Sequence, residues 1–287
     1  MQKLSLFPSQ PRPLLFAHRG YSSRAPENSL AAFREAARAG IPGVELDIHV
    51  CASGELVVAH DSDLFRVSGN HILIEESELQ AIRSVDIAER FRRRVAEGTG
   101  AQPGAASEPV RPELVRPEQF PLLSELFEEF GRHFYYDIEI KHFSRVTGAI
   151  VRLLAALIRR HGLVDRCLVS SFNPFAVRAF KRIEPEVPTA VIYCRDPELP
   201  FWLRRGEGRY VSGCDVLKPQ DASVTDALLR PNAGRARLPV LCWTVDTVEG
   251  AITLIERGVD GIISNDPAPI QAAIQAGAAG RPVGEPG

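Results

Sequence analysis

The chain has 287 residues, 45% hydrophobic and 24% charged, which supplies ample material for a core and excludes wholesale disorder. Its formal net charge is -2, with Lys and Arg spread along the sequence, so no nucleic-acid partner is expected, and the run Arg92-Arg93-Arg94 reads as a solvated helix face. No apolar stretch is long enough for a transmembrane segment, MQKLSLFPSQPRP lacks the apolar core of a signal peptide, and Cys51, Cys167, Cys194, Cys214 and Cys242 lie far apart; a cytoplasmic protein with buried free thiols is expected.

Short apolar runs alternate with helical patterns, as in a parallel sheet with crossover helices. The first run, Leu14–His18, leads into His18-Arg19-Gly20. Asn28 reads as the N-cap of a helix over Ser29–Ala39, with Gly40 at the C′ position. In the second run, Val44–His49, Glu45, Asp47 and His49 share one face while Leu46 and Ile48 take the other. Leu56–His60 follows too closely for a parallel crossover and reads as the second arm of a hairpin turning at Ser53-Gly54. Residues 62–131 break the rhythm, with a helix expected over Ser77–Ala88, a Gly/Ala/Pro-rich stretch at Gly98–Gln119 and a second helix over Leu123–Gly131.

The third barrel strand, Phe134–Ile140, carries Asp137 and Glu139 on the same face as Lys141 just beyond it. After it come a helix over Thr147–His161, strand Cys167–Phe172, helix Pro174–Ile183 and strand Thr189–Cys194. Glu198–Gly208, with Trp202, reads as either a barrel helix or an exposed aromatic covering a site or a subunit contact. Strand Cys214–Leu217, helix Val224–Leu229, strand Val240–Val245, helix Val248–Arg257 with Gly258 at C′, strand Gly261–Ser264 and helix Pro269–Ala276 complete the pattern. These strands predict an α/β fold, a (β/α)8 TIM barrel forming one domain over residues 1–287, with a small subdomain at 62–131 inserted after the hairpin that follows strand 2.

Glu45 and Asp47 would both face the barrel interior, where paired carboxylates repel unless a cation or a proton separates them. A hard divalent cation meets that need with oxygen ligands, and Glu139 is positioned to complete a three-carboxylate site. His18 and His60 at the same mouth suit general acid and base work, and Arg19 and Lys141 suit a bound anion. Together these residues point to metal-assisted phosphoryl chemistry. His49 shares the face of Asp47 and is a candidate supporting residue, whereas His71, His133, His142 and His161 read as loop or helix-end histidines.

His18-Arg19-Gly20, Pro26-Glu27-Asn28-Ser29, Glu45-x-Asp47, His60-Asp61 and Glu139-x-Lys141 occur in the order and approximate spacing of the glycerophosphodiester phosphodiesterase family, which the chain resembles. Trp243-Thr244-Val245-Asp246 and the segment from Gly258 to Pro267 also resemble that family's last two strands. The resemblance implies a barrel with an inserted subdomain, one divalent cation (Mg2+ or Ca2+, with Mn2+ also suitable), and hydrolysis of a small-molecule glycerophosphodiester to glycerol 3-phosphate and an alcohol. Carried over, it implies Glu45, Asp47 and Glu139 as metal ligands and His18 and His60 as the acid–base pair. Arg19 and Lys141 would contact the phosphate, with Asn28 and Trp243 nearby. The family's mechanism has a glycerol hydroxyl attack phosphorus, giving a cyclic phosphate that water opens.

The chain departs from the family at Phe120-Pro121-Leu122-Leu123-Ser124-Glu125 and in the Gly/Ala/Pro-rich stretch before it. The helices flanking that stretch are the expected walls of the groove for the alcohol. A phospholipase D-like barrel acting on lipid phosphodiesters is the alternative, and it would want an apolar rim around Phe65, Ile72, Leu73 and Ile74.

Overall fold

The computed structural model describes residues 13–98, 111, 114, 116–141, 148–197, 199–230 and 237–279. Most of the Gly/Ala/Pro-rich stretch (99–110, 112–113 and 115), together with His142, Thr147 and Glu198, lies outside the described residues. In chain order the elements are β1 (Leu14–His18), α1 (Leu30–Arg38), β2 (Gly43–Val50), β3 (Leu56–Val58), α2 (Phe65–Ser68), α3 (Leu79–Ile82), α4 (Glu89–Ala96) and α5 (Leu123–Phe130). They continue with β4 (Tyr135–Ile140), α6 (Gly148–Arg160), β5 (Cys167–Ser171), α7 (Pro174–Ile183), β6 (Thr189–Tyr193), α8 (Gly208–Ser212), β7 (Val216–Pro219) and α9 (Asp226–Leu229). Last come β8 (Leu241–Cys242), α10 (Val248–Arg257), β9 (Gly261–Ser264) and α11 (Pro267–Ala279).

Eight of the strands run parallel in the order β7-β6-β5-β4-β2-β1-β9-β8. Parallel bridges Leu217↔Val240 and Gln220↔Trp243 then bring β7 against β8, so the sheet curls into the expected barrel. β3 pairs antiparallel with β2 outside this ring, with Ile48 opposite Val58, as the expected hairpin requires. Outward-facing strand residues such as Leu46, Ile48, Tyr136, Ile138 and Val169 pack under the helices in the main core. Helix α1 carries Phe33 and Ala36 into that core and ends at Gly40, whose φ is 67°.

Several elements differ from the sequence expectation. Ser29, not Asn28, caps α1, its side chain accepting from the Ala32 N–H; Asn28 adopts φ 57° and turns its amide toward the barrel. The helix expected over Ser77–Ala88 shortens to α3, following a 3-10 turn at Ile74–Glu76, because Asp86 turns the chain into α4 by accepting the N–H groups of Ala88 and Glu118 at 2.9 Å each. The strand expected at Cys214–Leu217 lies at Val216–Pro219, and only Leu241–Cys242 of Val240–Val245 is strand. Thr225 caps α9, so the helix expected over Val224–Leu229 starts later, after a 3-10 turn at Asp221–Ser223. Between β6 and β7 the chain forms a 3-10 turn at Phe201–Leu203 followed by α8, with Trp202 at the surface.

Helix α5 buries Leu123, Leu126 and Phe127 in the main core, with the Phe127 ring edge-on to Tyr136 at 5.1 Å. It therefore packs as a barrel helix. A separate small cluster gathers Val57 and Ala59 near the hairpin with Leu64, Ile74, Ile82, Ile87 and Phe120.

Candidate active site

Because strand side chains alternate, the barrel interior is set by every second residue. At the N-terminal end these are apolar, with Leu14, Phe16, Tyr135, Leu168 and Val216 in one cluster. Two and four residues further along the same strands the inward positions become His18, Asp137, Glu139, Ser170 and Lys218, joined by Glu45 and Asp47 of β2. Register sets Glu45 beside Asp137, Asp47 beside Glu139 and His18 beside Glu45. The result is an apolar plug beneath a polar floor at the C-terminal ends of the strands, where barrel enzymes place their chemistry.

Glu45, Asp47 and Glu139 are buried, and one oxygen from each lies within 4.8 Å of the others. Lys141 Nζ stands 3.1 Å from Asp47 and 2.7 Å from Glu139. Lys218, 2% exposed, reaches Asp137 at 2.9 Å and Glu45 at 3.3 Å. Asn28 donates to Asp47 Oδ2 at 2.9 Å, and its own buried Oδ1 has no partner among the described residues. Burial pushes the Glu45 carboxyl up to about 8, with Asp47, Asp137 and Glu139 adding repulsion that Lys218 only partly offsets. Burial disfavours the charge on Asp47 too, but Lys141 and Arg19 outweigh it and hold that carboxyl well below the usual range. An oxygen-only donor set with one carboxyl unable to keep its charge comfortably is what a hard divalent cation fits.

The histidines sit at the rim with different supports. His18 Nδ1 is 2.7 Å from Asn265 Oδ1, an acceptor, so Nδ1 carries the proton and Nε2 is left toward Glu45, 3.8 Å away. Burial, reinforced by Arg19, pushes the His18 imidazole down to about 3, leaving it neutral. His60 Nδ1 instead meets the Asp61 carboxylate at 2.6 Å, and Asp61 also accepts from Arg66. His49 does not reach the carboxylates; its Nδ1 binds Glu75 at 2.6 Å and its Nε2 lies 3.2 Å from the His60 carbonyl, bracing that turn. His71 stacks on Phe65 at the surface, and His133 and His161 pack on Phe134 and Phe127.

Arg19, with φ 55°, donates its backbone N–H to Glu45 at 3.2 Å, and its guanidinium lies 3.5 Å from Asp47 and 2.9 Å from Glu27. Gly20 follows at φ 76°, and a Cβ there would sit 2.7 Å from that of Ala32, so only glycine lets this turn pack on α1. Glu27 also binds Arg66, linking the mouth to the insertion. Burial would raise the Glu27 carboxyl, but Arg66 and Arg19 hold it down to about 2. Because that lies below the ordinary 4.5, the associated stability is present above pH 4.5 and is lost as pH falls toward 2. Glu27→Gln should lower stability near neutral pH and flatten its decline across that window; urea unfolding of both proteins at each end of the window reads this directly, and parallel curves would contradict it.

His18, Arg19, Glu45, His60, Glu139, Lys141 and Lys218 line one cavity of about 330 Å3, whose other wall is Phe172, Cys194, Asp196, Leu199, Trp243 and Ile263. The family model for the glycerophosphoryl diester phosphodiesterase family matches residues 18–268. The chain belongs to that family. It is 28% identical over 257 residues to a glycerophosphodiester phosphodiesterase of Caldanaerobacter subterraneus, covering 89% of this chain and 95% of the relative. A Bacillus altitudinis enzyme of the same name is 26% identical, covering 88% and 94%. Among solved structures, an Oleispira antarctica phosphodiesterase in complex with the product sn-glycerol-3-phosphate is similar at 25% identity and TM-score 0.73, over 92% of this chain and 97% of that one. A Silicibacter pomeroyi structure at 24% identity shares the fold with TM-score 0.76, over 95% and 97%. The expected family, barrel and enzyme class are thus borne out, and the buried acidic cluster fits a divalent metal ion.

Within this phosphodiesterase fold, every residue expected at the site meets at one barrel end, Asn28 through Asp47 and Trp243 through the cavity wall. The indole of Trp243 donates to the Lys218 carbonyl at 3.0 Å and stands perpendicular to Phe172. The apolar rim that the phospholipase D-like alternative would want does not line the cavity: Ile74 is buried in the insertion's own cluster with Ile72 against it, and neither Phe65 nor Leu73 is among the lining residues. Sequence reasoning missed Lys218, Ser170 and Asn265. Lys218 was hidden because the strand was expected to end at Leu217; a lone lysine two residues after an inward valine was the available signal. All five cysteines are free and buried, and among the described residues no helix is long and apolar enough to cross a membrane.

Proposed function

We propose that this cavity hydrolyses glycerophosphodiesters to glycerol 3-phosphate and an alcohol, with Glu45, Asp47 and Glu139 holding one Mg2+, Ca2+ or Mn2+ ion. The observation that carries the reading is the buried three-carboxylate cluster, flanked in one cavity by His18, His60, Arg19 and Lys141. The sn-glycerol-3-phosphate bound by the Oleispira antarctica neighbour supports the same product here. A bound ion of this kind supplies charge neutralisation and Lewis-acid polarisation at a phosphoryl oxygen.

Arg19 and Lys141 contact the phosphate; both are held by carboxylates, which fixes their heads without ordering on binding. Neutral His18 accepts, at Nε2, the proton of the attacking glycerol hydroxyl. His60, backed by the Asp61 carboxylate, delivers a proton to the departing alkoxide oxygen, and the two exchange roles when water opens the cyclic phosphate. Asn28 fixes Asp47 by its amide, and Trp243 walls the cavity. Lys218 neutralises Asp137 within the polar floor and keeps the barrel interior from accumulating negative charge.

Residues 1–287 form a single domain in this reading, with 62–131 inserted. A cytoplasmic setting belongs to the same proposal, supported by the five unpaired thiols. The test is product identification by 31P NMR with glycerophosphocholine as substrate: glycerol 3-phosphate is the expected product. Phosphocholine and free glycerol would place the broken bond on the other side of phosphorus and sink the assignment.

A further inference from the structure

Away from the catalytic cavity, the connection between β6 and β7 carries an unusual surface. Within the ten residues from Phe201 to Tyr210, Phe201 is 80% exposed, Tyr210 78% and Trp202 38%. Such rings in water are unfavourable, and clustered exposure marks an interaction face. Tyr210 borders a crevice of about 620 Å3 lined by Arg195, Arg204, Arg205, Arg209, Arg230 and Arg237 and, among the described residues, by no acidic one. Arg237 is paired with Asp260, Arg204 is tied to the Pro197 and Leu199 carbonyls, and Arg209 donates to Tyr210. The side chains of Arg195, Arg205 and Arg230 make no ion pair or hydrogen bond among the described residues.

We infer that this face docks the protein on an anionic phospholipid bilayer. Tryptophan and tyrosine favour the headgroup boundary, where the ring is apolar and its tip polar, and arginines extend apolar stems with the charge at the phosphates. Each arginine near such a surface contributes independently, so an overall charge of -2 is no obstacle to a local cationic patch. Charge argues against a second copy of the chain as the occupant, since a two-fold contact would set the arginine cluster against itself. The surface also adjoins the catalytic mouth: Leu199 lines the cavity, and Pro200, Phe201 and Trp202 follow it directly. Docking would hold that mouth near the source of lipid-derived phosphodiesters.

The test is co-sedimentation of the full chain with phosphatidylcholine vesicles rich in phosphatidylglycerol, against vesicles of phosphatidylcholine alone, at low and high salt. Partitioning onto the anionic vesicles is expected to be at least about tenfold stronger and to weaken with salt. The F201S/W202S and R195E/R205E variants should each lose about tenfold in partitioning while turning over a water-soluble glycerophosphodiester as the parent does. Both pairs are at the surface, and the two variants test the aromatic and the cationic components separately. Equal partitioning onto both vesicle types, no partitioning at low salt, or unaltered binding by both variants would overturn the inference. So would a parent that is dimeric in solution and becomes monomeric as F201S/W202S, which would make the face a contact between copies. Vesicle binding is measured without turnover, so failure of the catalytic proposal leaves this result readable.

Discussion

His18→Ala and His60→Ala are each expected to lower kcat by on the order of 10²-fold or more, with little change in Tm. Both rings stand at the rim and are only partly buried, at 14% and 29% exposed, so neither removal opens a core cavity. The groups left behind keep partners: Asn265 Oδ1 still accepts from Ser22 at 2.9 Å, and Asp61 still accepts from Arg66. The two losses should be separable by leaving group. Asn265 holds His18 as a neutral acceptor, whereas His60 is braced at Nδ1 by the Asp61 carboxylate and is assigned the acid role. A substrate whose alcohol has a low pKa needs no proton from the enzyme, so it should restore much of the rate to His60→Ala and none to His18→Ala. Equal rescue of both, or normal turnover by either variant with ordinary substrate, would show the acid–base pair to be misassigned.

Glu139→Gln and Asp47→Asn should each lower activity by on the order of 10²- to 10⁴-fold, the several kcal/mol that a correctly held ion contributes to phosphoryl transfer. The same substitutions should reduce cation affinity, read by calorimetry and by loss of the rise in Tm that a ligand of the native state produces. Asp137→Asn is the informative contrast. Asp137 faces Lys218 and Ser170 beside Glu45 but is not one of the three clustered carboxylates, so its loss leaves a buried lysine short of a partner and lowers stability. Cation binding should survive it. If Asp137→Asn abolished cation binding while Glu139→Gln preserved it, the ion would be held by Asp137 and not by Glu139 as proposed.

The barrel and most of the site were legible because both follow a period of two. Glu45 and Asp47, then Asp137 and Glu139, alternate with buried aliphatics, and register across β2 and β4 adds only their juxtaposition. What was not legible was set by contacts far apart in sequence. Asn265, on the last turn, fixes the tautomer of His18 from 247 positions away, and Lys218 finds Asp137 only after five intervening elements have packed. Asn28 was misread because Asn and Ser are comparable caps; Ser29 took the role, and the barrel interior drew the Asn28 amide to Asp47. The helix expected over Ser77–Ala88 failed for a related reason: Asp86 uses its carboxylate on two backbone N–H groups, one of them 32 residues away at Glu118. In each case a side chain that satisfies local rules was recruited by a distant partner.

The most direct measurement is turnover of glycerophosphocholine, glycerophosphoethanolamine, glycerophosphoinositol and a lysophospholipid by metal-stripped protein, before and after adding Mg2+, Ca2+ or Mn2+. Hydrolysis of the glycerophosphodiesters that is absent in chelator and returns with one of these ions is the predicted result. Full activity in thoroughly stripped protein, or activity confined to the lysophospholipid, would contradict a metal-dependent glycerophosphodiesterase.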